Sequence, residues 1–279
     1  MLPADSHVHS QWSWDAAVGD MEGSCARAVE LGLPAIAFTE HLDHTVWTVE
    51  FDGLDPGAHL AKMADPNGLL TPPAFDVPGY LAAVARCRER FPSLVVLSGL
   101  EVGEPHRHAE AVAQVLAAGP FDRVLGSVHC LPTGDGFAEP PGLYPRQQAA
   151  DVMRQYLAEI AALAGQSQVF SVLAHIDYAV RYWPAQAGPF DPCAFEDEFR
   201  HALRALADSG RALEVNTKVP LHPEVVGWWR QEGGRAVTFG SDAHHPAGLG
   251  RGFGAAVAMV EAYGFRPGRH PHDLWTRPR

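Results

Sequence analysis

At 279 residues, with 47% hydrophobic and 19% charged residues, the chain has a globular composition able to bury a substantial core, which excludes a disordered protein. Its formal net charge of −12 disfavours non-specific binding to nucleic acid or anionic membranes, so an anionic substrate needs a local reversal of sign. Four scattered cysteines without a C-x-x-C pair argue against a disulfide framework or a zinc ribbon and suit a reducing, cytoplasmic setting. No basic-then-apolar leader precedes DSHVHS and no apolar run reaches about 18 residues, so neither secretion nor a membrane span is expected.

Seven short apolar segments read in chain order as buried strands: Ala4 to His9, AIAFTE, LVVLSGLEV, RVLGSVH, VFSVLAHI, ALEVN and AVTFGSD. Between them lie helix-spaced stretches: GSCARAVELG, VPGYLAAVARCRERF, HAEAVAQVLAAG, ADVMRQYLAEIAALAG, AFEDEFRHALRALADSG and PEVVGWWRQEGG. Gly119, Gly165 and Gly210 stand where a helix needs a C-cap. Strand then helix, repeated about seven times, predicts a parallel α/β sheet in a single domain over 1–279, either open or closed as a barrel. The longest irregular piece runs from about Leu42 to Val77, a length typical of lids or of disorder, with Asp43, His44 and Trp47 as possible substrate contacts. A second turn-rich loop, LPTGDGFAEPPGLYP, follows His129.

Metal-competent side chains fall at the ends of these strands. The first strand offers His7 and His9 in alternation, which places both imidazoles on one face, with Asp15 shortly after. TEHLDH supplies Glu40, His41, Asp43 and His44; GLEVGEPH supplies Glu101; GSVH, His129; AHID, His175 and Asp177; GSDAHH, Asp242, His244 and His245. In a parallel barrel every strand C-terminus opens onto one face, where active sites are built, so these groups converge on one cavity. A lone histidine at a strand end is more often structural than ligating; the joint pattern is not the scatter that 15 histidines placed at random would give. Imidazoles and carboxylates without thiolates suit zinc, iron or manganese.

The order H-x-H, E-H, an isolated Glu, V-H, a fifth-strand His and S-D-A-H resembles the PHP (polymerase and histidinol phosphatase) superfamily from His7 to about Gly250. AHIDYAVRYWP, ALEVNTK and GSDAHHP look most like its monofunctional histidinol-phosphate phosphatases. The resemblance implies a distorted seven-stranded (β/α)7 TIM-like barrel holding three divalent metals. It implies one metal on His7, His9, Glu101 and Asp242, a second on Glu101, His129 and His175, and a third on Asp15, His41 and His244. Some relatives place a histidine at the position aligned with Asp15.

The three divalent cations that the resemblance implies, set against the carboxylates of Glu101, Asp242 and Asp15, would leave a formal local charge of +3 and reverse the acidic balance of the chain. Such a pocket suits a small phosphate monoester, with a metal-bridging hydroxide as nucleophile and the third metal on the leaving alkoxide. Glu101, Asp242 and His244 are the candidate catalytic residues. Arg181 is the candidate phosphate clamp, with an ordinary surface arginine as the alternative. Asp177 and Glu104 are candidates for an amine or imidazole on the substrate, or else rim carboxylates that merely support the site. Asn216 and Lys218 fall where they can line the pocket, His44, His106, His108 and His245 lie off the pattern, and Asp5 either orients a histidine or sits on the strand edge. The expected reaction is L-histidinol phosphate plus water giving L-histidinol and phosphate, in histidine biosynthesis. Two alternatives stand beside it: a PHP phosphoesterase on nucleotides or oligonucleotides, and a metal-binding PHP protein without catalysis.

Overall fold

The computed structural model describes residues 2–49, 62–134 and 136–277. The seven expected strands are present and parallel: β1 (Asp5–Val8), β2 (Ala35–Leu42), β5 (Val95–Gly103), β6 (Arg123–Ser127), β9 (Val172–Leu173), β10 (Ala212–Asn216) and β11 (Ala236–Gly240). They pair in that order within one sheet, and an antiparallel strand β12 (Trp275–Thr276) extends it beyond β11. The sheet curls strongly into a half-barrel. β1 meets the segment just after β11 through a parallel bridge between Val8 and Ala243, with the His9 amide donating to Ala243 O at 2.9 Å and the Asp242 amide to His7 O at 2.9 Å. The barrel is thus distorted and drawn shut at the C-terminal ends of β1 and β11, the place where the site needs those strands adjacent.

The connecting helices are amphipathic, and their apolar faces cover the sheet. They are α1 (Met21–Leu31), α2 (Val77–Arg90), α3 (Ala109–Ala117), α4 (Ala149–Gln166), α5 (Glu196–Asp208) and α6 (Pro223–Gln231), followed by an unanticipated α7 (Phe253–Ala262). On α4 the buried set Val152, Tyr156, Ile160 and Leu163 follows the helical period, and the Tyr156 hydroxyl donates to His175 O at 2.9 Å. That bond fixes the backbone of a site residue from the outer layer. Of the three glycine caps, only Gly210 adopts a left-handed φ, at 75°. Gly165 lies inside α4 rather than after it. Gly119 follows α3 without that conformation, and a Cβ there would press on Leu81.

The stretch from Leu42 to Val77 is less irregular than expected, although its residues 50–61 lie outside the described ones. β3 (Trp47–Thr48) pairs antiparallel with β4 (Leu69–Leu70), and the second loop forms its own hairpin of β7 (Leu131–Pro132) and β8 (Phe137–Ala138). Trp47, Val49, Leu70 and Cys130, with Trp14, Met63 and Phe137 beside them, form a small apolar cluster across these loops. The cysteines are free, as expected from their spacing, and no described helix is long and apolar enough to cross a membrane.

Candidate metal centre and active site

Of the residues expected to ligate metal, Asp15, His41, Glu101, His129, His175, Asp242 and His244 line one cavity at the C-terminal mouth of the sheet, and the fully buried His7 and His9 reach the same cluster through Glu101 at its centre. Its Oε1 is 2.6 Å from His175 Nε2 and 3.1 Å from His129 Nε2. Its Oε2 is 3.0 Å from His7 Nε2, 3.3 Å from His9 Nε2 and 3.4 Å from His41 Nδ1. One carboxylate therefore faces two groups of imidazoles, one with each oxygen. Asp242 Oδ1 approaches His9 Nε2 at 3.5 Å and His7 Nε2 at 4.0 Å. Asp15 Oδ2 lies 3.1 Å from His244 Nε2 and 3.4 Å from His41 Nε2.

The donor set fits divalent cations. His7, His9 and Asp242 bring ligand atoms to within 4.8 Å of one another, as do His7, Glu101 and His175, or His41, Glu101 and His129, or His9, His41 and His244. His7 Nδ1 donates to Glu214 Oε1 at 2.7 Å, and His9 Nδ1 donates to Ser13 Oγ at 2.9 Å, since that hydroxyl is itself spent on Glu40. The two Nε2 atoms, on the ring edges turned away from those partners, lie 3.0 Å apart, a spacing that matches two adjacent ligands of one ion with metal–nitrogen bonds of about 2.0–2.1 Å. In addition, the buried atoms His41 Nδ1, His175 Nδ1 and Asp15 Oδ1 have no hydrogen-bond partner among the described residues.

The electrostatics follow from this crowding. Burial pushes the Glu101 carboxyl up, but His7, His129, His41 and His175 more than reverse it and hold it well below the carboxylate range. For Asp242 burial is likewise outweighed, by Arg181, His7 and Lys218. Burial pushes His9 and His175 down to about 4. His41 moves the other way, to about 9, because Asp15 and Glu101 overcome burial. A buried site holding this many carboxylates and imidazoles is high in energy without positive charge to share.

Two acids support these side chains: Glu214, which the sequence did not single out, and Glu40, which it placed among the metal-competent groups of TEHLDH. Glu214, buried on β10, accepts from His7 Nδ1 and from the His175 amide at 2.8 Å, so it positions two imidazoles at once. Gly240 on β11 makes room for it, because a Cβ there would run into Glu214 Oε1 and His7 Cβ. Glu40 accepts from the Ser10 amide, the Ser10 hydroxyl and the Ser13 hydroxyl, and Ser13 in turn holds His9 and the His41 amide. The available signal was an acid inside an apolar strand, as in ALEVN. Asp5 does not touch a histidine side chain; it accepts from the Ser241 and Gly250 amides at 3.0 and 3.1 Å and braces the turn carrying Asp242.

Arg181 lies in the cavity wall rather than on the surface. Its Nη2 donates to Asp242 Oδ2 at 2.5 Å, and its guanidinium carbon stands 5.0 Å over the Tyr178 ring. Lys218 also lines the cavity, 3.4 Å from Asp242 Oδ1. Glu104 lines it too, but its carboxylate is occupied by the His129 amide, the Cys130 amide and the Thr45 hydroxyl, at 2.6, 2.9 and 2.6 Å. It acts as a brace for the His129 strand end. Asp177 is buried but is not among the cavity-lining residues. Glu104 and Asp242 are the described non-glycine residues with left-handed φ, 43° and 52°, so backbone strain gathers at this wall. Of the off-pattern histidines, His106 pairs with Glu159 and His108 meets Thr45, both away from the imidazole cluster.

Comparison with known proteins gives a consistent picture. Residues 5–218 match the PHP domain family model. The chain is 25% identical over 252 residues to the histidinol-phosphatase of Lactococcus lactis, covering 88% of this chain and 85% of that protein. It is 28% identical over 275 residues to a probable histidinol-phosphatase of Deinococcus radiodurans, covering 94% of each. Among solved structures, the histidinol phosphate phosphatase of Lactococcus lactis, complexed with zinc, L-histidinol and phosphate, superposes with a TM-score of 0.79 at 23% identity over 98% of both chains.

Proposed function

Since the chain belongs to the PHP domain family, we propose that it hydrolyses L-histidinol phosphate to L-histidinol and phosphate. Its broader place, as a metal-dependent phosphoesterase related to the histidinol-phosphatases, rests on the near full-length likeness to them and on the buried donor clusters. The observation that carries the finer reading is Glu101 set between imidazole groups at a cavity mouth that also holds Arg181 and Lys218.

His7, His9, Glu101 and Asp242 would hold one divalent ion, Glu101, His129 and His175 a second, and Asp15, His41 and His244 a third. Zinc, iron or manganese would supply positive charge and Lewis acidity for in-line attack on phosphorus. The protein's own part is to hold and orient. Glu214 and Glu40 lock the imidazoles through Nδ1 or through Ser13, and the Tyr178 ring steadies the Arg181 fork, which suits two phosphate oxygens at once. Burial excludes water from the Asp242 and Glu101 carboxylates and so strengthens each contact made to the reacting phosphate.

The test is a parallel assay at fixed metal against L-histidinol phosphate and a panel of nucleotides and short oligonucleotides. Dominant turnover of L-histidinol phosphate is expected. Dominant turnover of nucleotides would reassign the substrate, and the net charge of −12 argues against that outcome.

A further inference from the structure

The cavity has a second polar end that the metal cluster does not use. Glu139 lines it, between β8 and the single helical turn Pro140–Leu143. The other lining carboxylates are engaged: Asp15, Glu101 and Asp242 with imidazoles, Asp43 with Trp14 Nε1 at 2.9 Å and His129, and Glu104 with two amides and a hydroxyl. Glu139 has one hydrogen bond, donated to its Oε1 by the neutral Tyr178 hydroxyl at 2.9 Å, and no cationic partner among the described residues. The residue is half-buried and lines the cleft.

Its surroundings suit a cation. Tyr178 and Tyr182 stand beside it, their hydroxyls 3.4 Å apart, and Trp47 lines the same cavity on a strand that packs against β8. Aromatic faces attract ammonium and imidazolium groups through their quadrupoles. Tyr178 lies between the two charges, with Arg181 over its ring and Glu139 at its hydroxyl. The basic group and the acidic group thus meet one side chain at two different places. Burial pushes the Glu139 carboxyl up, only partly offset by Tyr178 and His129, which a positive charge arriving beside it would reverse.

We infer that Glu139 is the specificity-determining residue of the cavity, binding the cationic nitrogen of a phosphate ester whose phosphate lies at the Arg181 end. This rests on the phosphomonoesterase reading above and extends it: the substrate class is a zwitterionic ester, phosphate at one end and amine or imidazole at the other. The role considered for Asp177 and Glu104 from the sequence falls to Glu139 instead.

The experiment compares the metal-loaded wild type and Glu139→Gln on L-histidinol phosphate and on a neutral-tailed ester, glycerol phosphate, and measures binding of L-histidinol by calorimetry. The preference, taken as the ratio of the two kcat/KM values, is expected to fall about tenfold to a hundredfold in the variant, the usual range for a charge-assisted hydrogen bond. L-Histidinol binding is expected to weaken in parallel, and Glu139→Asp, which keeps the charge, to retain part of both. A preference and an L-histidinol affinity that survive Glu139→Gln would overturn this inference alone. A wild type without preference for the cationic ester would overturn the L-histidinol phosphate reading with it. If Glu139→Gln does not fold, Glu139→Asp together with wild-type L-histidinol binding decides the matter: no measurable binding, or an aspartate variant indistinguishable from a nonspecific enzyme, counts against it.

Discussion

His7 and Glu214 are 207 positions apart in the chain and meet at 2.7 Å, both fully buried. The bond holds a proton on His7 Nδ1 and turns Nε2 toward Glu101 and His9, so Nε2 would be the atom offered to a metal. Because the same carboxylate also accepts the His175 amide, one residue on β10 sets the placement of imidazoles from β1 and from the end of β9.

Glu214→Gln keeps the shape of this contact and removes its charge. Metal affinity is expected to fall about tenfold to a hundredfold, the range for partners that orient ligating histidines. Metal retained against graded chelator, measured by mass spectrometry, checks this. Retention equal to wild type would deny Glu214 that role.

The convergence of these side chains was legible because strand geometry makes it so. Alternation on β1 puts His7 and His9 on one face, and parallel strands deliver Glu101, His129, His175 and Asp242 to one mouth. Glu214 was not legible, because within ALEVN it is one acid in an apolar strand. Only the pairing of Glu214 with Thr238 on β11, and the missing Cβ at Gly240, show what it reaches. Asp177 misled for a related reason: proximity to His175 in sequence does not place it at the cavity wall once the chain turns into the short 3₁₀ segment Tyr178–Tyr182. The C-terminal pair α7 and β12 carried weaker signals, since β12 is two residues long and is specified by pairing with β11.

Arg181→Ala removes the guanidinium over Tyr178 and its pairing with Asp242 while leaving every proposed ligand in place. KM for the phosphate ester should rise, or kcat/KM fall, by about tenfold to a hundredfold, with bound metal unchanged. Steady-state kinetics alongside metal analysis separates the two effects. Unaltered kinetics would remove Arg181 from the phosphate site.

A stability prediction concerns the loop that follows β5. Glu159 on α4 accepts from His106 Nε2 and Arg107 Nε, both at 2.6 Å. Burial raises its carboxyl, but these two partners bring it down to about 2, from an ordinary value of 4.5. A depressed folded pKa means that the stabilisation is complete above about pH 4.5 and is lost as the pH falls through about 2. Glu159→Gln is therefore expected to lower unfolding stability by about 1–2 kcal/mol at pH 7, with the gap to wild type closing as the pH is lowered. Denaturant titrations of both proteins at a series of pH values test it; a gap that is constant with pH would contradict the assignment.

The central claim is that the buried imidazoles and carboxylates at the barrel mouth make a metal-dependent phosphomonoesterase for L-histidinol phosphate. Its most direct test is to strip the protein with chelator, confirm by circular dichroism that it remains folded, and titrate back zinc, manganese or iron while following release of phosphate. Turnover should be absent from the stripped protein and rise as the proposed ligand sets fill. Turnover that persists without metal, or a fully loaded protein inert towards L-histidinol phosphate, would contradict the account.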